Sequence, residues 1–163
     1  MNAKTYFEDC RAQVRRFARV EQRYAELCDT SIGAIKYDDS HGGNGDPMAR
    51  VDEAIDYEQV VSERRAELHE TLDYANAILY GADGHGGLSK LKGSIYADSI
   101  CMHYLQDERW TDIARLFGTD GKQVRYYAMS GLRAIDRVGM QIAFRSDLSA
   151  RSPMPASFVA SSR

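Results

Sequence analysis

Lys122, Gln123, Arg125 and Tyr126 stand within five residues of one another, directly after Gly121. They form a dense set of hydrogen-bond donors. Lysine and arginine donate to O6 and N7 of guanine, arginine with both arms at once. A tyrosine at such a place offers its ring to a thymine methyl or its hydroxyl to a phosphate, and Gln123 reaches either a base edge or a phosphate. Arg109 and Arg115 before them, and Arg133 and Arg137 after them, carry charge suited to neutralising phosphates. Between Arg109 and Arg145 seven Arg and Lys face three Asp, a local charge of +4. The same residues also suit the solvated face of a helical bundle, so their chemistry depends on what positions them.

The positioning elements lie in WTDIARLFGTDGKQV, Trp110 to Val124. Two helices that meet steeply through a short turn need a small side chain where they cross, and Ala114 is one. The chain reverses through a left-handed backbone, which costs a residue with a Cβ about 1–2 kcal/mol and glycine almost nothing. Gly118 stands there. The second helix must then bury an aliphatic residue against the first, and Val124 comes at that distance. Ile113, Leu116 and Phe117 fill the wedge, and Tyr127 or Ala128, Leu132 and Ile135 continue it at helical spacing. Asp120 is placed to cap the second helix. Thr119 stands where an aliphatic residue is common. The expected unit is a helix-turn-helix whose second helix presents Gly121, Lys122, Arg125, Tyr126 and Met129 outward to the major groove.

Upstream, Phe7, Cys10, Val14, Phe17, Tyr24 and Cys28 recur in steps of three, four and seven, which predicts a helix over about 4–29 with one apolar seam. The stretch 30–46 is rich in Gly, Asp and Ser and reads as a loop. Pro47 to Tyr80 contains no glycine and no further proline, and Val51, Ile55, Val61, Leu68, Leu72, Ala75 and Leu79 mark a second helix, about 50 Å long at 1.5 Å per residue. Two such helices fold back as an antiparallel, coiled-coil-like hairpin. The second carries eight Asp and Glu against three Arg, and the first carries Arg11, Arg15, Arg19 and Arg23 along one face, a stripe read as interhelical ion pairing and solvent contact. GADGHGGLSK, 81–90, reads as a linker, and Leu91, Ile95, Ile100 and Leu105 predict one helix from Leu88 to about Gln106.

The 163 residues suffice for a compact domain plus a helical arm. No apolar run of 18 residues occurs and the N-terminus lacks the apolar core of a signal peptide, so a soluble, cytoplasmic protein without membrane contact is expected. Cys10, Cys28 and Cys101 are odd in number and read as reduced thiols. His41, His69, His85 and His103 are scattered without metal spacing, no glycine loop matches a phosphate-binding pattern, and no serine stands in a nucleophile elbow. Neither catalytic residues, metal nor cofactor are expected. Residues 1–85 carry 10 Lys and Arg against 17 Asp and Glu, and residues 86–163 carry 11 against 7. An acidic half thus precedes a basic one, as in a nucleic-acid module joined to something else.

The stretch ERWTDIARLFGTDGKQVRYYAMSGLRAID resembles the C-terminal DNA-binding helices of sigma factors. More closely, it resembles phage and prophage late-gene transcriptional regulators of the RinA and ArpU type. The likeness rests on Trp110 to Ala114 before a glycine turn and on a helix ending in Gly131, Leu132 and Ile135. It covers residues 104–136 most closely and 4–140 by pattern. Arg109 replaces the family's capping serine, and the GADGHGG stretch is an insertion. The resemblance implies a sequence-specific regulator of late or packaging genes in a bacterial cell carrying phage or prophage, working with RNA polymerase. Two other readings fit the same pattern: a small terminase-type packaging subunit, and a helical protein-interaction module of the anti-sigma kind.

The expected architecture is all-α, a long antiparallel helical hairpin followed by a C-terminal helix-turn-helix bundle. Its parts are an arm over 1–85, a DNA-binding domain over 86–142 and a disordered tail over 143–163. Trp110, Ile113, Ala114, Gly118, Val124 and Leu132 hold the motif together. Lys122, Gln123, Arg125 and Tyr126 face bases, and Arg109, Arg115, Arg133 and Arg137 face phosphates. The expected partners are double-stranded DNA and, through the arm, RNA polymerase or a second copy of the chain, with a dimer as the expected oligomer.

Overall fold

A computed structural model describes residues 2–34 and 47–140, with side chains for 2–29 and 55–140. The fold is all-α, with no strand among the described residues. Two long helices come first, α1 (Ala3–Ala34) and α2 (Pro47–Tyr80). Four shorter ones follow: α3 (Gly87–Lys92), α4 (Ser94–Ile100), α5 (Trp110–Phe117) and α6 (Gly121–Val138). A π-helical turn, Cys101–Leu105, continues α4. None of the described helices is long and apolar enough to cross a membrane. The side chain of Val51, the remainder of the expected loop beyond Ala34 and the expected tail lie outside what is described.

Three sequence expectations give way here. The loop expected from Thr30 begins later, because α1 runs to Ala34: once a helix is nucleated, each further residue adds a hydrogen bond, and Thr30 and Ser31 do not stop it. The single helix expected from Leu88 to Gln106 is three pieces. Gly93 breaks it with φ +120°, outside helical backbone, and beyond Ile100 the chain widens into the π turn, closed by Gln106 N–H to the Cys101 carbonyl at 3.1 Å. Apolar spacing alone cannot register either interruption. Ile55, expected in the apolar seam, is 58 % exposed, while Val61 is buried.

The stretch read as a linker is a tight corner. Gly86 and Gly87 are buried and Gly86 N–H bonds to the Tyr80 carbonyl at 2.6 Å. Gly87 has φ +63°, and a Cβ there would stand 2.5 Å from the backbone carbon of Leu79 and the nitrogen of Tyr80. Glycine is needed twice over, for the dihedral and for the approach.

Contacts divide the described residues into two compact units, one of those up to residue 11 with those from 72 onward and the other of those between 12 and 71. This division does not follow the expected boundary at 85/86. In the first unit Phe7, Cys10, Ala75, Ile78 and Leu79 share one core with Leu88, Ile100, Ala128, Leu132 and Ile135. Ala3 is fully buried, and its N–H, one of the unpaired donors at a helix start, bonds to Asp136 Oδ1 of α6 at 2.6 Å. Gly131 lets α6 come close to its neighbours: a Cβ there would lie 2.9 Å from both Ile100 Cδ1 and Leu88 Cδ2.

In the second unit Gln13 pairs with Thr71, Glu21 with Arg65, and the Arg65 guanidinium lies 5.8 Å from the Phe17 ring centre. Numbers rise on α1 as they fall on α2, so the segments run antiparallel within this unit. The arginine stripe is divided in its roles. Arg19 donates to the Arg15 carbonyl and Arg23 pairs with Glu26 along the helix, while Arg11 belongs to the other unit.

Burial pushes the phenols of Tyr6, Tyr80 and Tyr104 and the thiols of Cys10 and Cys101 above their ordinary values. Such groups stay neutral in the fold while the unfolded chain ionises. Their contribution is therefore complete below the unfolded values and is lost as pH rises from those values through the raised ones. Urea unfolding should thus give a free energy lower by at least about 1 kcal/mol at about pH 10.5 than at about pH 8. In the same assay Gly87→Ala should destabilise by about 3 kcal/mol or more, combining a left-handed backbone with a backbone clash. Gly84→Ala, where φ is +77° but no atom lies within 4 Å of the Cβ position, should lose only about 1 kcal/mol.

Candidate nucleic-acid interface

The turn between α5 and α6 follows from its residues. Gly118 is left-handed, with φ +64° and ψ +33°. Its N–H bonds to the Arg115 carbonyl at 3.3 Å and that of Thr119 to the Ala114 carbonyl at 2.9 Å. This pair of bonds is a Schellman motif, which satisfies two carbonyls left over at the end of α5. Thr119 contributes through its backbone, so an aliphatic side chain is not required for the turn to close. Asp120 then caps α6, its carboxylate accepting the Gln123 N–H at 2.8 Å. Ile113, Ala114 and Val124 form one small buried cluster, with Met102, Trp110 and Phe117 packed against it.

The face opposite that cluster carries the cations. Lys122, Arg125, Tyr126, Arg133 and Arg137 are exposed, and Gln123 is half-buried with its backbone engaged by the cap. Two residues expected outward turn in instead. Met129 packs against the main core, and Gly121 lies beside Trp110, its Cβ position 3.8 Å from the Trp110 carbonyl oxygen. Packing against α4 widens the buried arc of α6, which a two-helix picture underestimates. Leu116, expected to fill the wedge, is 70 % exposed. Arg109 caps α5 through its backbone alone, its carbonyl accepting from Asp112 and Ile113. Arg115 is exposed and pairs with Asp112 at 3.5 Å.

Lys92 was not anticipated. It comes from α3, donates to Ser130 Oγ at 2.7 Å and to the Ser130 carbonyl at 3.2 Å, and lies 4.9 Å from the Tyr96 ring centre. Tyr96 in turn meets Tyr127 edge-on at 5.4 Å. A lysine from another helix thus lies against the middle of α6, and no spacing rule links residues 92 and 130.

The start of α5 is held by a buried histidine. His103, in the π turn, stacks on Trp110 with ring centres 3.5 Å apart. Arginine has no acceptor, so the 2.7 Å contact from Arg11 Nη1 makes His103 Nε2 the acceptor. Nδ1 then carries the hydrogen and donates to the Glu108 carbonyl at 2.8 Å. The Arg11 Nε donates to Asp107, a residue with φ +56° in the bend before α5. The sequence offers Arg11 and His103 only as members of a stripe and a scatter.

Among the described residues no group of three or more His, Cys, Asp or Glu could hold a metal ion. No family model matches the chain, and no curated protein or solved structure matches it either.

Asp120→Ala should cost about 1 kcal/mol of stability in urea unfolding, the usual worth of a helix cap. Arg11→Ala, which leaves the part-buried Asp107 carboxylate and His103 Nε2 without their arginine, should cost about 2–3 kcal/mol in the same measurement.

Proposed function

We propose that the protein binds double-stranded DNA through a helix-turn-helix made of α5 and α6 and acts as a sequence-specific transcriptional regulator. One observation carries the reading. The glycine turn, the Ala114–Val124 contact and the Asp120 cap fix α6 so that its first two turns present Lys122, Arg125 and Tyr126 to solvent. That is the part of a recognition helix that meets base edges. Arg115, Arg133 and Arg137 are exposed on the same two helices and Arg109 is exposed at the cap of α5, where they serve as phosphate contacts. A role at phage late or packaging genes rests on the resemblance described above.

A second reading is favoured by Leu116. Leu116 is 70 % exposed on α5 beside the cations, so this surface also suits contact with an acidic protein, and RNA polymerase is the partner that regulation would supply.

The deciding experiment measures affinity for a pool of random genomic fragments at two salt concentrations and sequences what is bound. A regulator should recover one motif, with affinity falling steeply as salt rises. Recovery without a motif favours packaging, and absence of binding favours the protein-contact reading. On a recovered site, Lys122→Ala and Arg125→Ala should each weaken binding by about 1–3 kcal/mol and relax preference at one position. Arg133→Ala should weaken all sequences alike and lower the salt slope by about one.

A further inference from the structure

We infer that residues 12–71 pair with the same segment of a second copy of the chain, through a groove on one side of the two helices. The groove is open to solvent and has a volume of about 540 Å³, with Phe17, Val20 and Leu68 as its apolar lining and Arg16, Arg64 and Glu67 as its charged lining. This inference stands apart from the DNA reading and uses none of its residues.

The sequence pattern of α1 is broader than one neighbour needs. Val14, Phe17, Tyr24 and Cys28 make up the seam expected from the spacing of α1, Val20 and Leu27, seven residues apart, add a flanking row, and all six are only half-buried. A strict seam suits a two-helix contact, whereas a seam with a flanking row suits a bundle of more helices. Two helices from each of two copies supply four.

Val60 provides the matching projection. It is 45 % exposed and lies one heptad before Glu67, so it shares the groove's side of α2. A two-fold axis between these positions brings Val60 of each copy to the groove of the other, as an isologous contact requires. The charges fit the same arrangement. Over 12–29, α1 carries Arg15, Arg16, Arg19 and Arg23 against three acids, and over 55–71, α2 carries five acids against two arginines. Like helices face unlike ones when α1 of one copy meets α2 of the other, which favours a second copy over a partner of one charge sign.

The test is sedimentation equilibrium of the full chain, with circular dichroism to verify helix content. The native chain should be a dimer at tens of micromolar. Val60→Glu, on an exposed position that the single copy does not need for its core, should keep its helix content and raise the dimer Kd at least about tenfold. Ile55→Glu, about 140° away around α2, should leave the Kd within about twofold. A monomer at about 100 µM, an assembly larger than a dimer, or equal effects of the two substitutions would overturn the inference, the first by assigning the groove to another partner.

Discussion

Everything in the first unit depends on a shortage of core in its C-terminal segment. Its own helices, α3 to α6, have 6, 7, 8 and 18 residues, and only α6 is long enough to carry a continuous apolar face. A segment of that size removes only a marginal amount of surface from water by itself. Phe7 and Cys10 from α1, and Ala75, Ile78 and Leu79 from α2, make up the deficit. Phe7 is fully buried and stands 6.2 Å from Tyr104, so the first turns of the chain pack directly against the π turn that precedes α5. Burying a residue of that size contributes on the order of 2 kcal/mol, more than any one exposed ion pair on the surface.

The polar contacts at the same place act on orientation. Arg11 reaches both Asp107 and His103, His103 stacks on Trp110, and Trp110 packs on the cluster that seats Val124. The position of α6, and so of its exposed cations, is therefore set by a series of contacts that begins in α1. Second-tier residues of this kind matter wherever a recognition surface must be held to within a fraction of an ångström.

Much of this was legible in the sequence because it is local. The Gly118 turn, the Asp120 cap and the burial of Ala114, Val124, Leu132 and Ile135 each need only a few neighbouring residues to be argued, and helix α2 is bounded by Pro47 and Gly81 in the sequence itself. What escaped was of two kinds. Backbone events such as Gly93 and the π turn leave the apolar spacing nearly unchanged, so periodicity passes over them. Long-range pairs such as Arg11 with His103, Ala3 with Asp136 and Lys92 with Ser130 join residues 92, 133 and 38 apart, and no local pattern relates them. The inward turn of Met129 and the exposure of Ile55 and Leu116 belong to the second kind, since each depends on which helix lies opposite.

The closure of the first unit by both ends of the described chain also governs the order in which it forms during synthesis. Phe7 leaves the ribosome long before Leu132 and Ile135 exist, and the bond from Ala3 waits for Asp136. Until then the apolar residues of the first turns have no native partner from α6. The unit is therefore a high-contact-order object despite being all helix, and its folding is expected to be slower than its secondary structure suggests. An emerging chain with Phe7 uncovered is the state most exposed to misassociation and to chaperone capture.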